Sequence, residues 1–330
     1  MSIRVFGRRV PLGRAETFQV KVGECADCTP ISLTVRVAAG TREGPRMAML
    51  GVQHGDEYGG MEISNRVFDE VDPKEFRGCL VSIPVSNPLA FNVAERASPP
   101  PMGYENLNMN RVWPGDSRGL LMERIVAQIW DQVIIGSDLV VDLHEGGRAF
   151  MARYIHARGT SETEKLVGEQ NKRLYRLFGQ GVPVLGGVNT RPSMMGSLSI
   201  QAGLSGIPTI SPELGGGGRI WEDLVNTGIQ GVKNVMIGLG MLNKAPVGSD
   251  SEQLVSDGSS WPKTQHGGVI YNRCGLGDVV DEGALLGVLK DTAGRVIEEC
   301  RAPYRSVIFD TRYQPTIYPG DWTYHCGRLV

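Results

Sequence analysis

The sequence predicts an α/β fold followed by a small β domain. Two observations carry the first part. Short apolar runs alternate with stretches whose apolar residues recur at helical spacing, and several of these runs break into glycine-rich turns. A third carries the second part: beyond residue 264 the chain changes to short β runs separated by Gly-Asp and Asp-Glu-Gly turns. At 330 residues, 41% hydrophobic and 21% charged, the chain is long enough for one large domain and a smaller one.

Taken in order, residues 45–53 read as a buried strand, and the following stretch to Asp72 as a helix. Residues 79–87 form a second strand, 118–135 an amphipathic helix stopped by Gly136, and 137–147 a strand entering a glycine turn. A capping box from Ser161 to Glu164 opens a helix over 161–179. The run 206–218 is a strand that leaves Glu213 at its end before four glycines, and the helix beginning at Trp221 closes the unit. This alternation implies a largely parallel sheet. Residues 243 to 264, rich in Ser, Asp, Gly, Pro and Lys, read as a linker. The domains are therefore expected at 1–243 and 264–330.

Charge and apolar patterning exclude several functions. A formal net charge of −2 offers no basic footprint for nucleic acid. No apolar run approaches the roughly 20 residues of a membrane helix, and the N-terminal segment has no apolar stretch of the signal-peptide kind. A cytoplasmic location follows as the expectation. Six cysteines are too sparse for a disulfide framework and read as reduced thiols. The Cys25–Cys28 pair lacks a second ligand pair at zinc spacing.

Polar clusters sit where the strands end, the place where ligands bind in open α/β sheets. His54 and Glu57 stand three apart at a strand-to-helix turn, so both side chains can converge on one ion. Asp142 and His144 share one side of a strand. Two imidazoles and one carboxylate leave an open coordination position, the pattern of a catalytic zinc site, with Asp142 as acceptor for a ligand imidazole N–H. Asp56 reads as a helix N-terminal charge rather than a ligand. Glu213 is suited to be the general base that activates a metal-bound water. Arg96 offers a guanidinium for an oxyanion, and Asn110 with Arg111 a clamp for a substrate carboxylate. Alone, His54 or His144 is more often a hydrogen-bonded structural residue, Arg96 or Arg111 a solvated one, and Glu213 could equally be a turn carboxylate.

Together they form a series: His54-x-x-Glu57, Asn87-Pro88 with Arg96, Asn110-Arg111, Asp142-Leu143-His144, and Glu213-x-Gly215. In this order the chain resembles the succinylglutamate desuccinylase and aspartoacylase family, related in fold to zinc carboxypeptidases, and the resemblance covers nearly the whole chain. It implies a mixed sheet flanked by helices with a C-terminal β domain, and one zinc ion per chain held by His54, Glu57 and His144. It implies Glu213 as base, Arg96 as the group that polarises the scissile carbonyl, and Asn110 and Arg111 as the carboxylate site of an N-acyl amino acid. The expected activity is hydrolysis of a small linear amide by a metal-activated water. A carboxypeptidase-type peptidase on short or γ-glutamyl peptides and a non-catalytic metabolite-binding protein are the alternatives.

Two departures bear on the substrate. The family's Asp-Leu-Asn-Arg reads Asn108-Met109-Asn110-Arg111, and Glu145-Gly146-Gly147 replaces small hydroxylated residues after Asp-Leu-His. Glu145 either favours a substrate with a cationic group or points to solvent. Tyr104, Arg191 and Tyr324 stand as candidates for recognising a second carboxylate. The C-terminal segment also resembles a biotinyl or lipoyl-type domain, but Ala302-Pro303-Tyr304-Arg305-Ser306 lacks the lysine such a domain presents. It is expected to shape the mouth of the site or an oligomer contact. His156 is expected in the core or on the surface, and His266 and His325 have no evident partner in the sequence.

Overall fold

The computed structural model of the protein describes residues 2–98, 108–188, 191–248 and 252–329. A hairpin of β1 (Ser2–Val5) and β2 (Arg8–Pro11) precedes the main sheet. The main sheet takes β3 (Arg14–Glu24), β4 (Pro30–Ala39), β5 (Arg42–Leu50), β6 (Arg77–Ile83), β7 (Leu139–Asp142), β8 (Phe150–His156), β9 (Val184–Leu185) and β10 (Thr209–Gly216). Later strands extend it: β11 (Val255–Ser256), β12 (Ser259–Ser260), β14 (Val279–Val280), β17 (Ser306–Arg312) and β19 (Tyr324–Arg328). A separate four-stranded sheet holds β13 (Gly268–Asn272), β15 (Leu285–Lys290), β16 (Val296–Arg301) and β18 (Thr316–Ile317).

The long path of the main sheet runs β12-β19-β17-β8-β10-β7-β5-β6-β4-β3. Pairing is parallel at its centre, where β5 lies between β6 and β7 and β10 joins β7, and antiparallel toward both sides. The sheet is therefore mixed rather than largely parallel. The N-terminal strands and the C-terminal β17 and β19, each laid on by antiparallel pairing, account for the difference. The segment read as a linker supplies β11 and β12, which pair with β9 and β19.

Helices cover both faces. On β5, Ala48 and Leu50 pack into one apolar core while Met47 and Met49 pack into the other, so the strand is apolar throughout because it is buried on both sides. The first core receives α3 (Leu121–Ile129) and α5 (Leu198–Leu204); the second receives α1 (Gly59–Asp69), α4 (Ser161–Phe178) and α6 (Glu222–Gly238). Apolar residues four apart in α1 (Ile63, Val67) and in α6 (Val225, Ile229) make the buried stripes. Gly228 lets α6 approach α1, since a Cβ there would overlap Ile63. A short α2 (Pro88–Val93) is capped by the Asn87 side chain, which accepts from the Ala90 N–H.

Two sequence expectations are corrected at the level of local structure. The cap of α4 is Thr160, whose hydroxyl accepts from the Thr163 N–H, one residue ahead of the expected Ser161. Glu213 lies inside β10, because pairing with β8 continues through Gly215 and Gly216.

Candidate functional site

The turn after β5 is where the chain first departs from ordinary backbone. Val52 is held at φ 49°, an uncommon conformation for a β-branched residue, and it is fully buried. Gln53, His54 and Glu57 follow on this turn and are buried with it. The turn packs on α2, where a Cβ on Gly55 would overlap the Ala90 backbone.

His144 stands two residues beyond β7 and is tied to β10 rather than ending the strand. Its N–H donates to the Pro212 carbonyl, and its own carbonyl accepts from Leu214 N–H, both at 2.9 Å. This isolated bridge sets His144 beside Glu213.

Both imidazoles aim Nδ1 at one carboxylate. His54 Nδ1 lies 2.7 Å from Glu57 Oε1, and His144 Nδ1 lies 2.8 Å from Glu57 Oε2. The ligating atoms of His54, Glu57 and His144 lie within 4.8 Å of one another, and all three residues are buried. Their outer nitrogens also have partners. His144 Nε2 is 3.2 Å from Asp142 Oδ2, and His54 Nε2 is 3.1 Å from Asn108 Oδ1. Asp142 is held in turn by Gln53 Nε2 at 2.6 Å, and Gln53 by Trp113 Nε1 at 2.8 Å. Asp142 thus sits where an orienting acceptor belongs. Asn108 stands in the same relation to His54 through its amide oxygen.

The electrostatics match this geometry. Burial pulls His54 down to about 4. Burial also disfavours charge on Glu57, yet the two imidazoles outweigh it and hold the carboxyl well below its usual range. His144 is raised well above its usual value: burial opposes its charge, but Asp142 and Glu57 prevail. Burial pushes Glu213 up to about 8. Two imidazole nitrogens and a shared carboxylate, desolvated and individually supported, are a donor set that fits a divalent transition metal.

A cavity beside this cluster is lined by His54, His144, Arg96, Arg111, Asn110 and Glu213, so the sequence-selected residues do meet. Arg96 donates to Glu57 Oε1 at 2.9 Å. Asn110 is already engaged: its Oδ1 accepts from the Leu198 N–H at 2.8 Å, and its Nδ2 lies 3.1 Å from His144 Nε2. His156, assigned to core or surface in the sequence, lines this cavity.

Other positions differ from expectation. Glu145 does not point to solvent; it is 3% exposed and accepts from the Gly59 N–H at the start of α1 at 3.0 Å. Asp56 is also buried and accepts from Arg148 N–H at 3.0 Å. Tyr324 belongs to the C-terminal core, with its hydroxyl donating to Asn272. Arg191 is exposed ahead of a short turn, Tyr104 lies outside the described residues, and Cys25 and Cys28 are exposed free thiols. Among the described residues no helix is long and apolar enough to cross a membrane.

Comparison with known proteins adds to this geometry. Residues 43–239, more than half of the chain, match the family model described as the Succinylglutamate desuccinylase/Aspartoacylase catalytic domain. The chain is 26% identical over 295 residues to an N-alpha-acetyl-L-2,4-diaminobutyric acid deacetylase of Halomonas elongata, covering 84% of this chain and 81% of that protein. In structure it resembles a succinylglutamate desuccinylase from a Silicibacter species, with a TM-score of 0.83, 21% identity and 97% of both chains covered. A metallo-carboxypeptidase from Burkholderia cenocepacia shares the fold over 68% of this chain and 65% of its own, with a TM-score of 0.50 and 17% identity.

Proposed function

Because the chain belongs to the succinylglutamate desuccinylase/aspartoacylase family, we propose that it hydrolyses the amide bond of a small N-acyl amino acid and depends on one zinc ion held by His54, Glu57 and His144. The observation that carries this reading is the convergence of these three buried residues beside Glu213 and Arg96 in one cavity. The similarity to a protein named as a deacetylase of an N-acetylated diamino acid supports an N-acyl amino acid as substrate. The ion, when bound, supplies Lewis-acid polarisation of a carbonyl and makes a water molecule more acidic.

The chain's own residues do the rest. Glu213 accepts a proton from the attacking water at its carboxylate and returns it to the departing amine nitrogen. Burial raises its carboxyl above the usual carboxylate range, which favours return of the proton to the amine. Arg96 places a fixed positive charge where the carbonyl oxygen gains negative charge. Arg111, which donates to the Asn110 carbonyl at 2.6 Å, grips the substrate carboxylate, with Asn110 beside it. Asp142 fixes the ring of His144 through Nε2. The same proposal divides the chain into a catalytic part, 1–243, and a β part, 264–330, that shapes the mouth of the site.

Zinc content and release of free amine from a panel of N-acyl amino acids test this reading in the wild type and His144→Ala. The variant is expected to lose both. Retention of zinc and turnover would overturn the assignment.

A further inference from the structure

A larger cavity of about 550 Å³ opens beside Arg96, Arg111 and Glu213 and reaches side chains that the mechanism above does not use. Sheet register explains which ones. Glu213 on β10 stands opposite Tyr154 on β8; Ala152, two residues along β8, stands opposite Asp310 on β17. Cross-strand partners and residues two apart share a face, so Glu213, Tyr154 and Asp310 face the same side. Trp261, from the segment read as a linker, and Trp322, from the C-terminal part, line the cavity as well. Trp261 meets Phe150 edge-on at 5.0 Å between ring centroids and lies 5.1 Å from Trp322.

Asp310 is 3% exposed and firmly oriented. His325 Nδ1 lies 2.8 Å from its Oδ2, and His325 Nε2 lies 2.8 Å from Ser259 Oγ. Donation from the Ser259 hydroxyl to Nε2 leaves the imidazole proton on Nδ1, directed at Asp310. The order Ser259–His325–Asp310 has the geometry of a nucleophilic triad, but His325 is itself 3% exposed and stacks on Trp261 at 4.2 Å, so the series positions Asp310 instead.

The carboxylate lacks a counter-charge. His325 is its ion-pair partner among the described residues, and burial pushes that imidazole down to about 3, leaving it neutral. Burial accordingly raises the Asp310 carboxyl well above its usual range. Two further carboxylate oxygens on this cavity, Asp56 Oδ1 and Glu145 Oε2, are buried with no hydrogen-bond partner among the described residues. The cavity's three cations already have other partners: Arg148 donates to the Ala94 carbonyl at 2.5 Å and pairs with Glu95, Arg96 donates to Glu57, and Arg111 donates to the Asn110 carbonyl. Desolvated carboxylates beside aromatic rings are the surroundings that favour an organic cation.

We propose that this cavity is a cation subsite, in which an ammonium group of the substrate docks against Asp310 and the rings of Trp261 and Trp322. The assignment rests on the amide-hydrolase reading and narrows its substrate to N-acyl amino acids that carry an amine. That amine can stand on the amino-acid side chain or on the acyl group, and the chemistry recognised is the same.

Two ligand pairs test the proposal on the zinc-loaded full chain. One pairs an N-acetyl diamino acid with the analogue that has a methyl group in place of its side-chain ammonium. The other pairs an ω-aminoacyl amino acid with the acyl analogue of equal length. Turnover is measured for each ligand, and binding is measured by calorimetry in a Glu213→Gln background. In one of the pairs the cationic member is expected to bind roughly tenfold more tightly, the size of a desolvated cation–π contact. That preference should fall toward one in Asp310→Asn and shrink in Trp322→Ala. Trp322 is 45% exposed, so the second variant gives an answer even where the first fails to fold. The pair that shows the preference tells which side carries the amine. Equal binding within both pairs, or a preference that survives both substitutions, overturns the subsite. Asp310-dependent cation binding without hydrolysis of any ligand would instead overturn the hydrolase reading alone.

Discussion

His144 joins Glu57 through Nδ1 and Asp142 through Nε2, so one ring connects a candidate ligand carboxylate to the residue that supports it. Removing the support leaves the ligand set intact but lets the ring turn. Asp142→Ala is therefore expected to weaken zinc binding about 10- to 100-fold, measured by competition with a chelator, and an unchanged affinity would show that Asp142 does not orient the ring. His156 makes a different prediction. Desolvation lowers its folded pKa to about 4, against about 6.5 in an unfolded chain. The unfolded state therefore binds the proton first as pH falls. The stability from keeping this imidazole neutral is complete above pH 6.5 and is lost as pH drops toward 4. Between pH 7 and 5 the loss is on the order of 2 kcal/mol, and His156→Gln should lack it. Denaturant midpoints across that range check this; parallel slopes for both proteins would contradict it. At this scale the sequence was most readable in which residues come together: His54, Glu57 and His144 converge, and Glu213 lines the cavity beside them. Gln53 and Asn108 were given no role because a single amide carries no distinguishing pattern, and its partner is set by folding.

At the level of elements, the turn between β5 and α1 depends on close backbone approach to α2. Alanine at position 55 would drive a methyl group into Ala90, and neither backbone has room to yield. Gly55→Ala is expected to cost about 2–3 kcal/mol and to weaken metal binding together with stability. A melting curve and a zinc titration on the same preparation check both; a variant with wild-type values would mean that the turn relaxes freely. Strands such as β5 were legible because burial on both faces writes a continuous apolar run. The end of β10 was not. Glycines read as a loop, yet Gly215 and Gly216 remain in the strand, since β8 supplies partners that a local pattern does not reveal. The start of α4 was displaced by one residue for a related reason: Thr160 and Ser161 offer the same hydroxyl, and backbone direction decides between them.

For the whole molecule, the largest departure from the sequence reading is the continuity of the main sheet. β17 pairs with β8, and β19 and β12 follow, so the C-terminal residues extend the sheet that carries Glu213. Nothing local in residues 306–312 announces a partner more than 150 positions earlier, which is why long-range pairing was not readable there. The consequence is functional as well as architectural: Asp310 and Trp322, far from the clustered motifs in the chain, line the cavity that also holds Arg96, Arg111 and Glu213. The order of motifs, by contrast, was enough to identify the family: His54 and Glu57 follow β5, Asn87 follows β6 and His144 follows β7, and the sheet brings them toward Glu213 on β10.

In the proposed mechanism His54, Glu57 and His144 hold a metal that works with Glu213 to hydrolyse an amide. The most direct measurement is zinc content and amine release, side by side, for the wild type and Glu213→Gln with an N-acyl amino acid panel. The expected result is about one zinc in both proteins, with turnover reduced at least roughly 100-fold in the variant. Zinc absent from both, or turnover undiminished in Glu213→Gln, would contradict the account.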